Sequence, residues 1–519
     1  MLFNLFSLFI VFCAAFICLG ESVIFQLNNI LLSGSVWQPL IYADTVTLSI
    51  LLMLSICFGY AFFYTGHYFG GDMSGVRLNA IISLFVAVMA SLIFTGDFMS
   101  TLIFWEYLGV VSFFLILFYS NYLSLHSSVV TLVSSRFGDV CLFLIIAVSW
   151  FNGCPNAVSA CLFFFVIITK SAGFPFISWL LEAMRAPTPV SSLVHSSTLV
   201  AAGVWFTMRY DIFAFFEDSS IFLLCLLLTI LITGICCFFF MDLKKIVALS
   251  TCNNISWCIV YLLCGDVILS LFQLVSHGVS KCLLFMLVGD VMSGTGGSQA
   301  SNCVYMPRLY GNWGLFGLFS VILGLSGAPF IGVFFTKHFL LSTFSSGLNI
   351  ILYFFILFCV FLSYFYSFRL CRVLSSLNYS ISSGVLFSFN SGLMVYFWLA
   401  INYFIASSLD EVTSVSILSS AWLLIFQLFS CVTAYFFYSS TLVTNWSSCL
   451  FGCDNIVEAS YSFYNYLNSI VSLFFFRWDK YTICLLQGKG LSFVSLYSYS
   501  ALNFIMLSVF LFLMCWFII

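Results

Sequence analysis

Twice along this chain a Gly-x-Pro-Phe-Ile cluster interrupts a long apolar stretch that also carries a lysine. One is GFPFI, Gly173 to Ile177, just after Lys170; the other is GAPFI, Gly327 to Ile331, just before Lys337. Proline inside an apolar helix removes a backbone hydrogen bond and opens the helix. An ammonium at membrane depth is costly unless it meets a partner or water. The two features together, and repeated, predict duplicated ion-pathway units built on discontinuous helices.

The rest of the sequence fits a membrane setting. Hydrophobic residues make up 63% of the 519 and charged residues 6%, with a mean hydropathy of +1.16, which excludes an ordinary soluble domain. At roughly 20 apolar residues per span, about 15 or 16 transmembrane helices fit, so the expected fold class is an all-α polytopic membrane protein. Residues 1 to 20 read as the first of these helices, uncleaved, because they lack a basic leading segment and many spans follow. A net charge of −3 without any basic run gives no footing for nucleic acid. The 21 cysteines are scattered without a CxxC or paired Cys/His spacing. They read as small hydrophobes, and no metal or redox cofactor is expected in this chain. The 66 phenylalanines, with the cysteines, suit a T-rich, organellar coding source.

Charges cluster between about residues 97 and 340, which places the chemistry there. Glu106 sits in FWEYLG with apolar sequence on both sides, and such a carboxylate is protonated, paired or hydrated. Desolvation and a nearby anion act on the proton affinity of Lys170 in opposite directions, so it can titrate within a cycle; a static buried ion pair is the plain alternative. His195 lies in a patch with Ser192, Ser196, Ser197 and Thr198 and could relay protons or be a satisfied core histidine. Lys244 and Lys245 open another span, where either can snorkel; context favours Lys245. Gln273, His277 and Lys281 recur every four residues, which puts them on one helical face, as a proton wire or a packing seam. Arg136 and Asp139 are spaced for an i, i+3 pair. Glu182 and Arg185 precede two prolines and mark a helix end, for coupling between units or for loop anchoring. From Asp454 to Phe476 polar residues recur at steps of three and four, predicting an amphipathic helix about 35 Å long that lies along other helices, or a span with a Ser/Asn seam.

The run TKSAGFPFISWLLEAMRAPTPVSSLVHSSTLVAAGVW resembles the signature of the antiporter-like membrane subunits of respiratory NADH:ubiquinone oxidoreductase (complex I), of the subunit-5 type. FWEYLG, SSRFGDV, DLKKIVALST, FQLVSHGVSKCLLFMLVGD, SGAPFIGVFFTKHFLL and YSFRL follow the same pattern, over roughly residues 75 to 372. The resemblance implies two inverted-repeat bundles, each with a discontinuous helix, around a hydrated polar axis, plus a C-terminal amphipathic lateral helix. It divides the chain into N-terminal helices (1–75), an antiporter-like core (76–372), further helices (373–450), the lateral segment (451–490) and a final helix (491–519). It implies a proton pathway through Glu106, Lys170, His195, Lys245, His277, Lys281 and Lys337, with Arg136, Asp139 and Glu182 as inter-subunit or coupling candidates. Two positions depart from the family pattern: Gln273 stands where a histidine is usual, and His338 where an acid commonly follows the lysine. The implied function is proton translocation in the membrane arm of complex I, in the mitochondrial inner membrane. NADH, FMN, iron–sulfur clusters and ubiquinone would belong to partner subunits, and the neighbouring antiporter-like subunit and membrane lipids would be direct partners. A stand-alone cation/proton antiporter subunit of the same superfamily is the alternative.

Overall fold

The computed structural model describes residues 22–26, 30–32, 35–152, 157–211, 213, 219–293, 295, 297–305, 311–327, 333–345, 350–378, 417–438, 453–486 and 503–511. The expected helix over residues 1 to 20 and the span expected near residue 395 lie outside them.

The helices of the first unit, residues 1–453, follow in chain order. They are α1 (Thr45–Tyr68), α2 (Met73–Ile93), α3 (Phe98–Ile116), α4 (Tyr122–Asn152), α5 (Ala157–Lys170) and α6 (Ser178–Ala183). Then come α7 (Thr188–Leu193), a π-helical turn (Val194–Thr198), α8 (Leu199–Tyr210), α9 (Ser220–Phe239), α10 (Leu243–Leu263) and α11 (Val267–Ser293). The last four are α12 (Gly311–Ser326), α13 (Val333–Ser345), α14 (Ile350–Ser375) and α15 (Ile417–Tyr438). Among the described residues nine segments are long and apolar enough to cross a membrane, counting Thr188–Tyr210 as one. The second unit, residues 454–519, contains most of α16 (Cys453–Leu486), a continuous helix of 34 residues over the stretch read as amphipathic, and a further helical stretch at 503–511.

A short β-structure precedes α1, which the all-helical reading of the sequence did not contain. Strands β1 (Val23–Gln26) and β4 (Leu40–Ala43) pair antiparallel, and β2 (Ile30–Leu32) pairs with β3 (Ser35–Trp37). These strands reach the helix ends through the acids that cap them. Asp97, the N-cap of α3, accepts from Ser100 N at 3.0 Å, from Trp37 Nε1 at 2.7 Å and from Leu40 N at 3.1 Å. Asp44 closes a capping box with Thr47 at the start of α1 and accepts from Arg209, at the end of α8, at 2.9 Å. Capping of this kind satisfies backbone donors that a helix leaves orphaned.

Enclosure differs sharply between helices. Thr188–Tyr210 is 100% buried over its apolar window, α11 94% and α10 89%, against 33% for α2 and for α4. Polar side chains on the first three therefore face protein rather than lipid, where they must find partners or water. Close packing holds α5 in place: a Cβ on Gly203 of α8 would lie 3.1 Å from the Ile167 carbonyl, so glycine here lets the two helices approach without a shift.

Candidate functional site

The first discontinuity falls where the sequence put it. Helix α5 stops at Lys170 and the chain resumes helix at Ser178. Between them Ala172 takes φ +55°, a left-handed conformation costing a non-glycine residue roughly 1 kcal/mol. The carbonyls this break releases are taken up by side chains: Trp179 Nε1 donates to Thr169 O at 3.0 Å and Cys252 Sγ to Ala172 O at 2.9 Å.

Lys170, 1% exposed, projects from the last turn of α5, the helix end whose partial negative charge favours a cation. Its Nζ makes no hydrogen bond among the described residues and sits 5.1 Å over the Trp105 ring of α3. It faces Gly109, where a Cβ would lie 4.0 Å away. Glu106 and Lys170 are successive members of the implied pathway, but the direct partner of Glu106 is the Arg136 guanidinium of α4, which also approaches Asp139 at 3.4 Å. Lys170 still feels the charge of all three.

A small, partly enclosed cavity lies between Lys170 and His195, with Ser112, Thr131, Ser135, Thr169 and Trp179 among its lining. Ser112, Thr131 and Ser135 each donate to a carbonyl of their own helix at 2.8 Å, which leaves their oxygens able to accept. These oxygens offer acceptors to a single water, for which the space is about large enough. His195 lies in the π-helical turn, fully buried, its ring 6.4 Å from that of Trp179. Neither ring nitrogen makes a hydrogen bond among the described residues. Single π-helical turns inside α-helices recur at functional sites, since the extra residue redirects one side chain.

The centre of the site needs a second correction. Lys245 is not on the buried axis: its side chain is 34% exposed and pairs with Asp242 at 3.3 Å. Its neighbour Lys244 is the buried one, 4% exposed, donating to Ala186 O at 3.3 Å and close enough to His195 for their charges to interact. Adjacent helical residues point about 100° apart, so only one of the two can face inward. Lys244, Val247 and Ser250 share a face, and that face meets Lys281: Lys281 Nζ donates to Ser250 Oγ and, at 3.4 Å, to Val247 O. His277, one turn earlier on α11, is fully buried, with both ring nitrogens free of hydrogen bonds to described residues. Gln273, one turn earlier again, accepts from Thr336 Oγ1 of α13 at 2.8 Å and so ties α11 to the second broken segment.

At that second break α12 ends at Ser326, Gly327 adopts φ +95°, and α13 begins at Val333; residues 328–332 lie outside the described residues. Lys337, 1% exposed, reaches back across the break, donating to Ser326 O at 2.6 Å and to Ser363 Oγ of α14 at 2.7 Å, 4.4 Å over the Tyr364 ring. Gln427 of α15 donates to Gly327 O at 2.5 Å. An ammonium against the open carbonyl end of a half-helix is favourable electrostatics. His338 is buried beside Phe334. Glu182 and Arg185 pair at 2.8 Å, each about one-third exposed.

Residues 95–365 match the family model described as NADH:quinone oxidoreductase/Mrp antiporter, TM. Among curated relatives, NADH-ubiquinone oxidoreductase chain 5 of Aedes aegypti is 33% identical over 64% of this chain and 59% of its own length. That of Caenorhabditis elegans is 34% identical over 64% of each, and that of Anopheles arabiensis 33% identical over 59% of this chain and 81% of its own. The chain thus spans about three-fifths of the first two relatives. A chain of the Mrp complex from Dietzia sp. DQ12-45-1b superposes with a TM-score of 0.69 over 89% of this chain and 56% of its own, at 19% identity. A chain of the archaeal membrane-bound sulfane sulfur reductase does so at 0.63 over 83% and 92%, at 17% identity. Those two likenesses establish a shared helical fold. With a family match over more than half its length and nine membrane-crossing segments among its described residues, this multi-pass membrane protein belongs to the NADH:quinone oxidoreductase/Mrp antiporter transmembrane family.

Proposed function

We propose that the chain is a proton-translocating membrane-arm subunit of NADH:ubiquinone oxidoreductase in the mitochondrial inner membrane. The observation that supports this most is the file of buried titratable side chains on the most enclosed helices, with a small cavity that both Lys170 and His195 line. Membrane interiors tolerate such groups where they pair or line water. Electron transfer from NADH through FMN and iron–sulfur clusters to ubiquinone is assigned to partner subunits. Its free energy would reach this chain as a change in charge pairing at Glu106, Arg136 and Asp139, with Glu182 a further contact for the neighbouring antiporter-like subunit.

When Arg136 holds the Glu106 carboxylate, Lys170 lacks that anion as a direct partner and can yield a proton into the cavity toward His195. From there the proton passes to Lys244 and on to Lys281 and His277. Gln273 carries no titrating proton, so the step past it toward Lys337 runs through hydroxyls and water, with Gln273 holding Thr336 in place. The two breaks would be equivalent points of inverted repeats, and α16 would be the lateral helix.

Glu106→Gln tests this in the assembled complex reconstituted into vesicles. The expected result is normal assembly with fewer protons moved per NADH oxidised; an unchanged ratio would contradict it. The Mrp-like fold keeps a cation/proton antiporter in view as a second reading. Purification separates the two: co-migration with flavin and iron–sulfur subunits supports the first, and a complex lacking them supports the second.

A further inference from the structure

An arginine inside a membrane span cannot shed its charge, so a buried one must be met by acceptors. Arg369, 5% exposed on α14, meets the open end of α9: Nη1 donates to Cys237 O at 2.6 Å and Nη2 to Phe240 O at 2.9 Å. Cys237 O is among the last four carbonyls of its helix, which have no amide partner within it, and the negative end of the helix dipole favours a cation there. The guanidinium also lies 5.1 Å over the Phe238 ring, which stacks on Phe365 of α14 at 4.5 Å. The residue that Arg369 holds faces the central lysine. Cys237 Sγ, fully buried, donates to Ile246 O of α10 at 3.7 Å. The next carbonyl on α10, Val247 O, accepts from Lys281 Nζ at 3.4 Å, and the charges of Lys281 and Arg369 both act on the Cys237 thiol. Six residues before Arg369 on the same helix, Ser363 accepts from Lys337 Nζ at 2.7 Å. One helix therefore touches the ammonium of the second break and, through Arg369, the helix pair that seats Lys281.

We propose that Arg369 is a positioning residue for Lys281, and that α14 makes the seat of Lys281 depend on the state of Lys337. This rests on the reading of the chain as a proton translocator. Arg369 fixes the end of α9, Cys237 carries that position across to Ile246, and the adjoining peptide of α10 holds Lys281. At the other end of the link, Lys337 holds Ser326 O and Ser363 Oγ with charge-assisted bonds, roughly twice as strong as neutral ones. When Lys337 gives up its proton that grip weakens, and α14 is released at Ser363. A helix moves as a rigid element, so Arg369 moves with it and shifts the α9 carbonyls it clamps. The close approach of the two helices transmits the shift, since a Cβ on Gly234 of α9 would already lie 3.1 Å from Cβ of Leu362.

The test uses the full complex in vesicles with Arg369→Lys, Arg369→Met and Lys337→Met variants. Infrared spectra read the S–H stretch of Cys237, assigned by its loss in Cys237→Ala. Lysine keeps the cation but replaces the two-pronged fork with a point donor. Protons moved per NADH by the assembled complex should fall about tenfold in Arg369→Met and about threefold in Arg369→Lys, with the S–H band displaced in both. Lys337→Met should displace the band while Arg369 is present and leave it unmoved once Arg369 is methionine. A purely structural clamp predicts lower heat stability with the pumping ratio unchanged, and that result overturns the proposal. A fall in pumping without band displacement overturns it too, as does a band whose response to Lys337→Met is absent in the wild type or persists without Arg369. Where Arg369→Met does not assemble, Arg369→Lys takes its place, with the smaller fall in pumping, a displaced band and a weakened response to Lys337→Met expected. Failure of the broader reading appears separately, as unchanged pumping in Glu106→Gln.

Discussion

Replacing Lys170 by methionine separates a transport role from a structural one, because the two make opposite demands on stability. The ammonium is 1% exposed, makes no hydrogen bond among the described residues, and rests on Trp105 at 5.1 Å. Losing that cation–π contact costs about 0.5–2 kcal/mol. Removing a buried charge recovers several kcal/mol of desolvation, and methionine keeps most of the aliphatic packing. The Glu106–Arg136 pair is left intact, and Asp139 keeps the Arg136 guanidinium at 3.4 Å. The net expectation for Lys170→Met is stability unchanged or raised by about 1–3 kcal/mol. Proton movement through the chain should meanwhile fall by about 100-fold or more, the scale of removing a positioned proton carrier. Thermal inactivation of the assembled complex reads the first quantity, and pumping per NADH in vesicles reads the second. A loss of about 3–5 kcal/mol, the signature of breaking a buried pair, together with retained pumping would make Lys170 a structural cation and refute the reasoning.

Other substitutions probe the corrected centre and its link to the second break. Lys244→Met should abolish most proton movement, whereas Lys245→Met should leave pumping within about twofold and cost at most ~1 kcal/mol, since its pair with Asp242 is one-third exposed. Thr336→Val removes the donor to Gln273 Oε1 and should cost about 1–3 kcal/mol with slowed pumping, while Thr336→Ser retains both, measured by heat inactivation and by initial pumping rate.

The breaks were legible in sequence because proline, glycine and lysine act locally: helix α5 ends at Lys170 and α12 at Ser326, as GFPFI and GAPFI imply. The Gln273, His277 and Lys281 stripe was legible for the same reason, since spacing by four fixes a face whatever the helix packs on. What spacing alone does not determine is which face turns inward when a helix is enclosed on nearly every side, as α10 is, and that is why the lysine assigned to the axis shifted by one position. Partner choice was equally hidden. Arg136 lies 30 residues from Glu106 and reaches it only because α3 and α4 pack side by side. The Arg369 clamp needs α9 and α14, far apart in sequence, to pack together. The β-structure before α1 was masked by apolar composition, which reads as helix in a membrane chain although Val23–Gln26 and Leu40–Ala43 pair as strands.

The most direct test is a density map of the intact complex, fine enough to place water. The proton-path account requires ordered water touching Lys170 Nζ and His195 within their shared cavity, and further water between His277 and Lys337. A dry, apolar-filled gap at either place, with the pumping ratio intact, would contradict it.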